Sequence, residues 1–138
     1  MLRKIILTYY YVFFQAHSRS KYAKQFTSAW QQVFIQISVS LSTFILGIVI
    51  CFENIFNKRF FPHIEKFSFI ILFGILPGVI LYQLLFNVYK ISKENDDHNK
   101  VGIIITKPIR IIAWFFYVFS ILFPILALFI RRYISLKD

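Results

Sequence analysis

The chain has 138 residues, 58% hydrophobic and 20% aromatic, with only 16% charged and a formal net charge of +10. Water-soluble domains carry roughly 25% charged residues, and a soluble chain of this size has no core large enough to enclose so much apolar surface. The single cysteine, Cys51, excludes an intramolecular disulfide and a cysteine metal cluster.

At the N-terminus, residues 5–14 (IILTYYYVFF) are apolar and aromatic. As a helix this stretch is only about 15 Å long, too short to span a bilayer. Arg3, Lys4 and the small residues around Ala16 allow a signal-peptide reading, but three tyrosines make a poor signal core, and Arg19, Lys21 and Lys24 follow at once. The expectation is an N-terminal interfacial or re-entrant helix, with Tyr9, Tyr10 and Tyr11 at headgroup depth. Residues 1–31 then form an N-terminal helix and basic segment, and 32–138 a transmembrane bundle.

Three uncharged runs follow, at about 33–52, 67–86 and 111–130. Each is about 20 residues, or about 30 Å as a helix, which matches the hydrocarbon thickness. Lipid offers backbone amides no partner, and the runs lack the alternation of barrel strands. The predicted class is an all-α membrane protein with three transmembrane helices. Pro62 and Pro108 stand just ahead of the second and third runs, where proline is tolerated. Pro77 and Pro124 fall inside those runs, where each removes a backbone hydrogen bond and is expected to kink its helix.

The polar residues of the first run are patterned. Gln32, Gln36, Ser40, Thr43 and Gly47 are spaced four, four, three and four, which places them on one helix face, with Ser38 and Ser42 beside it. In lipid such a stripe must face protein or water. The second run holds Gly74 and Gly78, a G-x-x-x-G pair that permits close backbone approach. The third holds Ala113, Ser120 and Ala127 at seven-residue spacing. Small-residue faces are a usual device of helix association in membranes, so these positions are read as packing or pore-lining surfaces.

No Asp, Glu, Lys, Arg or His lies in any of the three runs. Proton relays, coupled carriers and voltage sensors need such groups near the midplane. Asp96-Asp97-His98 is the one cluster of metal-ligand types, and a solvated turn accounts for it. No nucleophile–base arrangement and no Gly-rich phosphate loop is present, so neither catalysis nor a cofactor is expected.

The basic residues flank the apolar runs, where they meet anionic lipid headgroups, and the polar segments are too short to read nucleic acid. Ten lysines and arginines fall on the side of the N-terminus and the second loop, and six on the other. This bias predicts a cytoplasmic N-terminus and an outward C-terminus, with a bacterial inner membrane as the default setting.

The functional expectation is a non-enzymatic protein that packs its helices against itself, as a homo-oligomer, or against a membrane partner. Its layout (small, basic, aromatic-rich, three helices) resembles that of immunity proteins that guard cells against pore-forming bacteriocins. The likeness covers architecture and no motif, and it implies self-protection. An oligomeric pore, or a carrier or flippase subunit for a lipid-linked substrate, are the alternatives.

Overall fold

The structure, a computed structural model, describes residues 1–19, 28–59 and 65–135. Among these residues it is helical, with no strand. Three helices are long and apolar enough to cross a membrane, and an N-terminal helix precedes them. The chain is a multipass helical membrane protein.

Helix α1 spans Leu2–Arg19 and α2 spans Ala29–Phe56. The start of α2 is set by Ser28, whose backbone N–H donates to Gln31 Oε1 at 3.1 Å and whose hydroxyl donates to the same oxygen at 2.8 Å. Its end is set by Asn57, which takes the left-handed conformation (φ 47°) that stops a helix. At 28 residues α2 is about 42 Å long, so it carries the apolar run beyond the hydrocarbon at both ends.

The second span is continuous from Lys66 to Val88 but not uniformly α-helical. It comprises α3 (Lys66–Ile70), a π-helical segment (Ile71–Ile75), α4 (Leu76–Tyr82) and a second π-helical segment (Gln83–Val88). Pro77 explains the first π segment. Proline has no N–H to offer the carbonyl four residues back, and its ring crowds that carbonyl; a wider turn just ahead relieves both problems. Pro124 lies inside α5 (Lys107–Ser135), which runs on as one helix past it.

α2 is the central helix. It packs against α5 on one side and against the second span on another, while the second span and α5 make no substantial contact with each other. α1 fills the gap they leave. Tyr10 meets Phe86 of the second span edge-on at 6.4 Å, and Phe13 meets Trp114 of α5 at 4.8 Å. Both ends of α1 meet the same end of the bundle. Arg3 stands over the ring of Tyr89, at the close of the second span, and Gln15 bonds Arg110, at the start of α5.

The loop from Tyr89 to Thr106 closes over α1. Ile91 and Ile103 enter the same core as Leu7, Tyr10, Tyr11, Phe13 and Phe14 of α1 and Val33, Ile37, Leu81, Leu85 and Ala113 of the spans. The loop leaves the second span through Lys90 (φ 52°) and turns back at Gly102 (φ 73°), where a side chain would strain the backbone.

The expected N-terminal helix is therefore present, but longer than its apolar run and enclosed. Tyr10 and Tyr11 are 0% exposed, covered by protein and not by headgroups. The three spans are by contrast barely covered: 28%, 28% and 22% of their most apolar windows is buried within the chain. Their outward faces carry Ile71, Phe115 and Phe129, which is the surface lipid tails require. The Lys21 and Lys24 part of the basic segment, Pro62 and Lys137 lie outside the described residues.

Candidate functional site

The polar stripe of α2 does not form one surface. Gln36 and Ser40 turn toward α1 and α5. Gln36 Oε1 lies 2.7 Å from His17 Nε2, a pairing across α1 and α2. Ser40, 1% exposed, contacts both Ser120 Oγ of α5 at 2.6 Å and the Tyr9 hydroxyl of α1 at 3.1 Å. The proton directions follow from counting. Ser120 donates to the Tyr117 carbonyl at 2.8 Å, so its proton is committed. Ser40 must then donate to Ser120, and Tyr9 to Ser40. The result is a directed chain from Tyr9 through Ser40 and Ser120 to the Tyr117 carbonyl, placed at the centre of the third apolar run.

That environment holds the Tyr9 phenol neutral. Burial pushes it up to about 12, opposed by the Ser40 hydrogen bond and assisted by Tyr117. Tyr11 is likewise pushed up to about 12, first by burial and then by Asp97 and Asp96 nearby. Burial, with Tyr11 adding, raises Tyr10 further. The hydroxyls of Tyr10 and Tyr11 are buried without a hydrogen-bond partner.

Further along the α2–α5 face, the ring of Phe123 lies on Gly47. A Cβ built on that glycine would come within 3.0 Å of Phe123 Cγ and closer still to the ring edge. Beyond it, Asn54 Nδ2 donates to the Ala127 carbonyl at 3.0 Å, and Arg131 Nη1 donates to Glu53 Oε2 at 3.1 Å. Ala113, Ser120 and Ala127 are all buried. Ala127 and Ser120 face α2, while Ala113 belongs to the core around α1.

The face of α2 toward the second span is different. Here lies a groove of about 560 Å³, with Phe34, Ser38 and Ser42 on one wall and Gly74, Gly78 and Tyr82 on the other. Its rim is Ile35, Val39, Ile75 and Val79, all exposed. The two glycines, read from sequence as one face, have separate roles. Gly78 is in contact with Ser38, whose Oγ would be 3.5 Å from a Cβ placed there. Gly74 faces open space, where a Cβ would meet only Ile70 of its own helix, at 3.9 Å. Thr43 also lines the groove, and its hydroxyl donates back to its own helix, 2.9 Å from the Val39 carbonyl and 3.0 Å from that of Ser40. The hydroxyl oxygens of Ser38 and Ser42 are buried and have no partner. Gln32 is half-buried one turn before Gln36.

The loop-side end of the bundle holds a polar cluster that sequence reasoning treated as a solvated turn. Gln15, 8% exposed, donates to Asp96 Oδ2 at 2.8 Å and accepts from Arg110 Nη2 at 3.1 Å. Asp96 also lies 2.5 Å from His98 Nδ1. One glutamine thus joins α1, the loop and α5. No group of three or more His, Cys, Asp or Glu residues suited to a metal ion occurs among the described residues. The partners Tyr9, Gln15, Asn54 and Phe123 had no local signal in sequence, since each acts across 30 or more positions.

No family model, curated protein or solved structure matches the chain.

Proposed function

We propose that this membrane protein is non-enzymatic and acts by helix packing, with the groove between α2 and the second span as the seat for a helix of a membrane partner or of a second copy. The observation that carries the reading is the open, apolar groove itself, in which Gly74 faces open space and a Cβ would meet only Ile70 of its own helix. A glycine on an open wall lets a seated helix bring its backbone close, the usual device of helix association in membranes.

The same hydrogen-bond inventory argues against passage of ions along the stripe. Gln36, Ser40 and Thr43 are each engaged within the chain, which leaves little of the stripe to line a pore. Self-protection against a membrane-active toxin is the role proposed for such a packing protein, and the lysine and arginine bias supports a bacterial inner membrane with the N-terminus in the cytoplasm as its proposed setting. Anionic headgroups beside the flanking basic residues complete its surroundings.

Gly74→Ile tests the seat. A Cβ there meets only Ile70 at ordinary contact distance and the side chain extends into the open groove, so thermal stability in detergent is expected to hold while association, read by co-purification or by energy transfer between labelled copies, is lost. Association that survives Gly74→Ile would remove the groove from the account.

A further inference from the structure

Where the apolar runs of α2 and the second span end, three aromatic rings converge on one cation. The ammonium of Lys93, from the loop, lies 4.6 Å from the ring centre of Trp30, 4.8 Å from that of Phe86 and 5.0 Å from that of Tyr82. It also donates to the Tyr82 hydroxyl at 2.9 Å. The rings hold one another in place. Trp30 meets Phe86 edge-on at 5.4 Å, Tyr82 meets Phe86 at 4.9 Å, and Phe34 meets Tyr82 edge-on at 5.8 Å.

The Trp30 and Phe86 centroids are inside the reach of about 6 Å over which a ring attracts a cation, while Tyr82 meets the ammonium at its hydroxyl edge. No carboxylate forms an ion pair with Lys93 among the described residues. The cage therefore holds its guest by ring faces and one hydroxyl. That chemistry selects an ammonium. Neutral rings give a divalent metal none of the charged oxygens it needs, and their electron-rich faces repel anions. It also tolerates alkylation, because ring faces attract the charge and ask for no N–H.

We infer that Trp30, Tyr82 and Phe86 form a binding site for alkylammonium headgroups of the choline or ethanolamine class, for which Lys93 is the internal competitor. The position suits that ligand. Trp30 stands in the first turn of α2 and Phe86 closes the second apolar run, the level at which headgroups meet a membrane protein. Exchange of Lys93 for a headgroup releases the start of the loop that covers α1, so occupancy of the cage is linked to closure of that loop.

The chain has two tryptophans, and Trp114→Phe makes Trp30 the sole reporter. In that background, tetramethylammonium is titrated into full-length protein in a non-ionic detergent, with and without Lys93→Ala. The expected result is a saturable change in Trp30 emission, with a midpoint about tenfold or more lower when Lys93 is absent, the ratio a cation–π contact of ordinary strength corresponds to. The neutral choline isostere 3,3-dimethylbutanol is expected to give no such change.

A lipid arm separates headgroups from soluble cations. The Lys93→Ala protein in phosphatidylcholine nanodiscs should show the same Trp30 signal, and in phosphatidylglycerol nanodiscs should not. Tyr82→Phe, which removes only the hydroxyl, should preserve tetramethylammonium binding, and Phe86→Leu, which removes a ring from the cation, should abolish it. Equal midpoints with and without Lys93, an equal response to the neutral isostere, or a response that survives Phe86→Leu would each overturn the inference. If Lys93→Ala does not fold, the titration of the Lys93-containing protein and its Phe86→Leu counterpart decides the matter alone.

Discussion

The two faces of α2 solve the same packing problem to different degrees. Toward α5 the contacts are made: Ser40 has Ser120, Gly47 has Phe123, and Asn54, which the sequence did not single out, donates to the Ala127 carbonyl while its own Oδ1 stays unpartnered. Toward the second span the contact is half made. Gly78 meets Ser38, but Gly74 is open and two serine hydroxyls are unpaired. In a membrane, where apolar surface alone drives little helix association, such a contrast separates a contact that builds the fold from one that the proposed partner would complete.

The contrast can be broken first on its closed side. Gly47→Val drives a side chain into the Phe123 ring, and overpacking of this kind costs about 2–3 kcal/mol. Thermal unfolding in detergent should show that loss, and Phe123→Ala should restore part of it. If Gly47→Val is as stable as the parent, the α2–α5 face is not closed.

A smaller effect is expected at the hydrogen-bonded chain. Ser40→Val strands the Tyr9 hydroxyl and takes from Ser120 the bond it accepts, while Ser120 keeps its bond to the Tyr117 carbonyl, at a cost of about 1–2 kcal/mol. Tyr9→Phe in the same protein should cost less than it does alone. A double-mutant cycle that is strictly additive would mean the three hydroxyls do not act as a unit.

Alkaline titration probes the same region. The ordinary tyrosine value is 10.0, and Tyr9 and Tyr11 stand at about 12 in the fold. An unfolded chain gives up these protons first, so stability that is complete below pH 10 should decline as pH rises toward 12. Tyrosinate absorbance should show these residues titrating late, and Ser40→Val, which removes the hydrogen bond that opposes burial, should delay Tyr9 further.

The open side predicts the smallest effect on stability. Ser38→Ala and Ser42→Ala remove hydroxyls that bond to nothing in the chain, so unfolding should be unchanged or slightly raised. Destabilisation of the isolated protein by either change would show that these hydroxyls already have internal work.

Much of the architecture was legible because lipid imposes it. Three uncharged runs allow little but three spanning helices, and the helices differ from the runs mainly by continuing a turn beyond them, where backbone still prefers its own hydrogen bonds to a boundary. Ala113, Ser120 and Ala127, picked out by their seven-residue spacing, are all buried. Periodicity could not say which neighbour each position meets. The stripe from Gln32 to Gly47 divides between α1, α5 and the groove, and the Gly74–Gly78 pair divides between a made contact and an open one. The role of α1 was hidden for another reason. Its apolar stretch is too short to span, which suggests an interface, but what encloses it is a polar loop some 80 residues away. Asp96 and Gln15 carry no pattern that announces their meeting.

The groove itself is most directly tested by site-specific photo-crosslinking in cells. A photoreactive phenylalanine at Val79, on the groove rim, is compared with one at Phe115, on the lipid-facing surface of α5. The account predicts a discrete protein adduct from Val79, either a second copy or one defined partner, that disappears when Gly74→Ile is added, and no such adduct from Phe115. Lipid adducts alone at Val79, or a protein adduct indifferent to Gly74→Ile, would contradict it.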